Sequence, residues 1–97
     1  MKVTFDPAAS DELDQVFAWI ARDNPHAAYA LIARIKTKID QLAVPELVHM
    51  GRPGLVEGTR ELLEWPYIIV YEVNERRGEI VILSIVHGAQ DREGSEK

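Results

Sequence analysis

Cysteine is absent from all 97 residues of the chain. Disulfide frameworks, thiolate zinc sites, iron–sulfur clusters and cysteine nucleophiles are excluded with it. Histidine is scarce: His26, His49 and His87 stand far apart without ligand-like spacing, so no metal site and no cofactor are expected. No apolar run approaches the ~20 residues that a membrane-crossing helix needs. Residues 1–15 carry Asp6, Asp11, Glu12 and Asp14 and no apolar segment. No signal peptide is read there, and a cytoplasmic protein is expected. Positive charge is also in deficit, with 11 Lys and Arg against 16 Asp and Glu and a net charge of −5. Proteins that hold a nucleic-acid backbone usually present a basic field, because neutralised phosphates release counterions. Here the bases are scattered over Arg34, Lys36, Lys38, Arg52, Arg60, Arg76, Arg77 and Arg92. Strong unaided binding to nucleic acid is not expected. Repeats, low-complexity blocks and a second domain are missing too.

What is present is a regular alternation of patterns. Met1 to Phe5 alternates Val3 and Phe5 with Lys2 and Thr4, as a short strand does. Asp6-Pro7 then opens a helix, with Asp6 as N-cap and Pro7 where a missing N–H costs nothing. Ala9, Leu13, Val16 and Ile20 form its apolar stripe, widened by Phe17, and it stops near Arg22-Asp23. Asn24-Pro25 repeats the start signal. Ala28, Ile32, Ile35, Ile39 and Leu42, with Leu31, make the stripe of a second helix. Two matched stripes with a short connection predict an αα-hairpin packed on the domain's own sheet; a dimeric coiled coil is the competitor, but the stripe lasts barely two heptads.

Pro45 to Gly58 holds two prolines and three glycines and reads as a loop. Thr59 to Glu64 reads as a second strand, with Arg60, Leu62 and Glu64 on one face and Glu61 and Leu63 on the other. Trp65-Pro66 makes a corner, since proline cannot donate to a ladder. Tyr67 to Val73 is a third strand, Asn74 to Gly78 a hairpin loop, and Glu79 to Val86 a fourth strand. The third and fourth strands are apolar on both faces, which places them centrally. The expected fold is α+β with the order β-α-α-β-β-β: a helical hairpin on one face of a mostly antiparallel, four-stranded sheet. Residues 1–92 form one domain, and 93–97 a polar tail.

That order, combined with GRPGLVEG (Gly51 to Gly58), TREL (Thr59 to Leu62), YIIVYEV (Tyr67 to Val73) and VHGAQD (Val86 to Asp91), resembles the RelE/ParE superfamily of type II toxins, in its ParE-like branch. The resemblance spans about residues 1–92. It implies a cytoplasmic bacterial toxin that forms a hetero-oligomer with a cognate antitoxin. It also implies one of two activities. ParE-like members poison a protein target, DNA gyrase; RelE-like members cut mRNA on the ribosome. A non-toxic relative that only joins its antitoxin on operon DNA is a third possibility.

For a nuclease, Arg60 and Arg92 are the candidate phosphate cations and His87 the candidate proton-transfer group, since cleavage needs an acid, a base and nearby positive charge. Three features favour the ParE-like reading. Gln90 stands where relatives often carry arginine, no aromatic residue follows His87, and the chain is acidic. Arg52, Arg60, Trp65, His87, Gln90 and Arg92 are then candidates for binding antitoxin or target. Structural roles compete at several of these positions. Arg60 could pair with Glu64 or Glu72 across the sheet, and His87 could be hydrogen-bonded at a strand end. Trp19 and Trp65 read first as core or corner packing, although an exposed tryptophan would suit a partner anchor.

Overall fold

The computed structural model describes residues 1–88, and the expectations for Gln90, Arg92 and the tail at 93–97 lie outside them. The two proline-marked starts are where the sequence puts them. Helix α1 covers Pro7–Ala21, and the Asp6 side chain accepts from the Ala8 N–H at 2.9 Å. Helix α2 covers Pro25–Gln41, and Asn24 accepts from the Ala27 N–H at 3.0 Å. Each cap satisfies a donor that the first turn leaves without an intrahelical partner.

The strands are β1 (Lys2–Phe5), β2 (Arg52–Pro53), β3 (Arg60–Glu64), β4 (Tyr67–Asn74) and β5 (Glu79–His87). Their spatial order is β1-β5-β4-β3-β2, with β1 parallel to β5 and every other pair antiparallel. The two strands that are apolar on both faces are central, as expected. The sheet has five strands rather than four, because Arg52–Pro53, inside the expected loop, forms a short edge strand against Arg60 and Glu61. Proline is tolerated there because the outward side of an edge strand needs no ladder donor. A 3-10 turn at Pro45–Leu47 shapes the rest of that segment.

Both helices lie on one sheet face. The core joins Ala9 and Leu13 of α1 and Leu31, Ile35 and Ile39 of α2 to Leu62, Tyr67, Ile69, Tyr71, Ile80, Ile82 and Ile85 of the sheet. Phe17 lies at the margin, edge-on to Tyr29 with ring centroids 5.0 Å apart. The register puts Arg60 opposite Tyr71, Leu62 opposite Ile69 and Glu64 opposite Tyr67, so the helix-facing side of β3 is the Arg60 side. On the opposite face Leu63 is 40% exposed, whereas Ile68 is buried with Gly88 against it.

Candidate functional site

Arg60 is a fastening residue. Its Nη2 donates to the His49 carbonyl at 2.8 Å and to the Gly51 carbonyl, so the guanidinium closes the segment between α2 and β3 onto the sheet. Tyr71 clamps the same segment from below. Its buried hydroxyl donates to the Val48 carbonyl at 3.0 Å and accepts from the Gly51 N–H at 3.1 Å. The approach at Gly51 is close. A Cβ there would lie 2.6 Å from the Glu61 carbonyl and 2.8 Å from the Tyr71 hydroxyl, so the position admits only glycine without a backbone shift. The expected pairing of Arg60 with Glu64 or Glu72 does not form. Glu64 is taken by α2, accepting from Arg34 at 3.3 Å with Lys38 at 3.9 Å, and Glu72 projects from the other sheet face.

Arg52, on the short edge strand, meets Glu61 at 3.2 Å, and the Glu61 carboxylate is only 3% exposed. A buried carboxylate needs such a cation, since desolvation penalises its charge. His49 pairs with Glu75 at 3.3 Å, so it is not isolated as its sequence context suggested.

At the far end of the sheet the geometry opens. Pairing of β5 with β1 ends at Ile82, but β5 continues to His87. Beyond that point α1 comes alongside. Glu12 caps the strand's edge, one carboxylate oxygen accepting from the Ile85 N–H at 3.2 Å and the other from the Ser84 hydroxyl at 3.4 Å. Between α1 and this end of the sheet lies a cleft of about 660 Å³, lined by Glu12, Gln15, Val16 and Trp19 of α1 and by Tyr67, Ile85, Val86 and His87 of the sheet. His87 faces Tyr67 edge-on, with ring centroids 5.5 Å apart. Its Nδ1 is enclosed and has no hydrogen-bond partner among the described residues. Burial pushes the Tyr67 hydroxyl above its ordinary pKa of 10.0, because the phenolate would be poorly solvated there.

The sequence-derived candidates therefore separate into distinct places. Arg60 and His87 sit opposite Tyr71 and Tyr67 of β4, two strands and four residues apart in register. Standard strand spacings put that separation at roughly 16 Å. Arg52 lies on the outer edge beyond Arg60, Trp65 is 70% exposed at the β3–β4 corner, and Gln90 and Arg92 lie outside the described residues. Trp19 and Trp65 are not packing residues, since Trp19 is also 67% exposed. Glu12 was not singled out in the sequence, where it is one of three acids on α1. Among the described residues no group of His, Asp and Glu is placed to hold a metal ion, and no helix is long and apolar enough to cross a membrane.

Known proteins share this fold. Residues 3–92 match the family model described as the ParE toxin of the type II toxin–antitoxin system parDE. "Putative toxin Y4kP" of Sinorhizobium fredii is 41% identical over 80 residues, covering 80% of this chain and 78% of that protein. Among solved structures, the chromosomal ParDE toxin–antitoxin system from P. aeruginosa superposes with a TM-score of 0.77 at 26% identity, over 90% of this chain and 95% of that one. The isolated E. coli RelE toxin superposes with a TM-score of 0.64 at 14% identity, over 98% of this chain and 92% of that one, a likeness of fold alone.

Proposed function

We propose, from the premise that the chain belongs to the ParE toxin family of type II toxin–antitoxin systems, that it acts by binding a protein target, DNA gyrase, and is neutralised by a cognate antitoxin. The toxin domain of this reading is residues 1–92, and the complex with the antitoxin is a hetero-oligomer.

The observation that carries the reading is the distance between the groups a nuclease would have to bring together. A phosphate under attack needs its acid, base and cation within hydrogen-bond reach of one atom cluster, about 3 Å each. The Arg60 and His87 backbones are roughly 16 Å apart by register, and the Arg60 guanidinium is engaged by two backbone carbonyls; the other candidate cation, Arg92, lies outside the described residues. A binder requires no such convergence. The net charge of −5 supports the same choice, since a ribosome-directed enzyme has to approach a polyanion. The antitoxin is supported by the likeness to a ParDE system, which is a toxin with its partner by name.

Induced expression tests the reading directly. DNA synthesis should stop before translation, and His87→Ala should leave the arrest intact. Cuts in ribosome-bound mRNA that vanish in His87→Ala would replace it with the nuclease reading. The antitoxin is tested separately, by co-expression of the neighbouring gene product: rescue of growth with co-purification is expected, and indifference to that product refutes it.

A further inference from the structure

The cleft between α1 and the end of β5 has the chemistry of a receptor for one particular side chain. Trp19 stands in its wall and is largely exposed. Glu12 is the one lining residue with a fixed charge, and it is negative. Its oxygens accept from Ile85 and Ser84, but a carboxylate offers about four lone-pair sites and retains capacity for a further donor. His87 also lines the cleft, but its Nδ1 is enclosed and is not offered to a ligand.

A ligand that completes this set is cationic, planar and rich in N–H groups. Guanidinium is such a group. It can donate to Glu12 while its face rests on an indole. An ammonium would meet the charge but not the plane. The surroundings favour the same sign: Asp11, Glu12 and Asp14 are the only charged residues of α1, and the chain carries −5. Such a field draws in a basic segment and repels an acidic one. Arg22 already lies over the Trp19 ring at 5.5 Å from its centroid, so an incoming guanidinium takes the other face of the indole or displaces Arg22.

We propose that this cleft is an anchor site for an arginine side chain presented by a protein partner. The identity of the presenting chain rests on the partner-binding reading above; the recognition chemistry is tested without it. Isotope-labelled protein would be titrated with N-acetyl-arginine methylamide and with the uncharged isostere N-acetyl-citrulline methylamide, following the Trp19 indole N–H signal, with Trp65 as internal control. The expected result is a saturable shift at Trp19 with the arginine probe and about tenfold weaker binding of the citrulline probe, because charge-assisted hydrogen bonds are the stronger kind. Glu12→Gln keeps an oxygen for the Ile85 N–H and should erase the arginine preference. Trp19→Ala removes an exposed side chain and, read at the Ile85 amide N–H beside Glu12, should abolish binding with the spectrum otherwise folded. Equal binding of the two probes, no Trp19 shift, or a preference that survives Glu12→Gln overturns the proposal. A probe that binds as expected while the antitoxin is ignored would indict the partner reading instead.

Discussion

Replacing Tyr71 with Phe removes one oxygen atom from the interior and changes almost nothing else in volume. That oxygen is the joint between the central strand β4 and the segment between α2 and β3, donating to Val48 and accepting from Gly51. Tyr71 is 0% exposed, so water does not reach the vacated position without rearrangement. Two backbone groups, one carbonyl and one N–H, would then be left with no partner at that point. Each buried group so stranded costs about 1–3 kcal/mol. Because Arg60 still holds the Gly51 carbonyl and lets the segment relax locally, the lower half of the summed range applies, about 2–4 kcal/mol. For a domain of this size that is a fall in melting temperature of about 10–25 °C. Thermal unfolding and urea titration of the purified pair would measure it, with an unchanged urea slope showing that the fold is intact. A loss below about 0.5 kcal/mol would mean that the hydroxyl is not the joint and that the segment is held by Arg60 alone.

Arg60→Ala should loosen the same segment by about 2 kcal/mol through the loss of two charge-assisted bonds to carbonyls, read as faster proteolytic nicking between residues 49 and 58. Glu64→Ala, by contrast, should cost less than ~1 kcal/mol in a urea titration, because its partners Arg34 and Lys38 are solvent-exposed. Ile35→Asp puts a carboxylate into a site with 0% exposure and should cost roughly 3–5 kcal/mol, enough to unfold a marginal domain at growth temperature; an unchanged melting temperature would refute the packing of α2. Tyr67 makes stability sensitive to alkali. Its folded pKa is raised above the unfolded 10.0, so its contribution is complete below about pH 10 and declines as pH rises towards the folded pKa. Tyr67→Phe should flatten that decline in alkaline urea titrations.

The helices and central strands were legible because their signals are local. Asp6-Pro7 and Asn24-Pro25 are caps that act within one turn, and the stripes on α1 and α2 repeat with the helix period. The edge strand at Arg52–Pro53 was not legible. Two residues carry no periodicity, and their pairing depends on Tyr71 and Arg60 holding the chain in place from elsewhere in the sheet. Arg60 itself was recognised as important, but its partners are carbonyls, which no side-chain pattern reveals. Trp19 was misread for a different reason. At about 100° per residue it lies well off the stripe that runs from Ala9 to Ile20; its size suggested burial and its angle did not. The cleft joins residues of α1 to β4 and β5, far along the chain, so only the fold brings Glu12 and His87 to one cleft.

The parallel pairing of β1 with β5 also governs when the fold can exist. Lys2 finds its partner in Glu79 and Phe5 in Ile82, and β5 stands between β1 and the other three strands. During synthesis the hairpin of helices can form early, but the first strand waits for almost the whole domain to leave the ribosome. Contacts this distant in sequence are slow to form, because loop closure precedes their reward. A product cut short at Gly78 would lack the middle of its own sheet, with β1 and β4 having nothing between them. Translation products that stop before β5 therefore lack the fold, and a partner that recognises this surface meets it only on the completed chain.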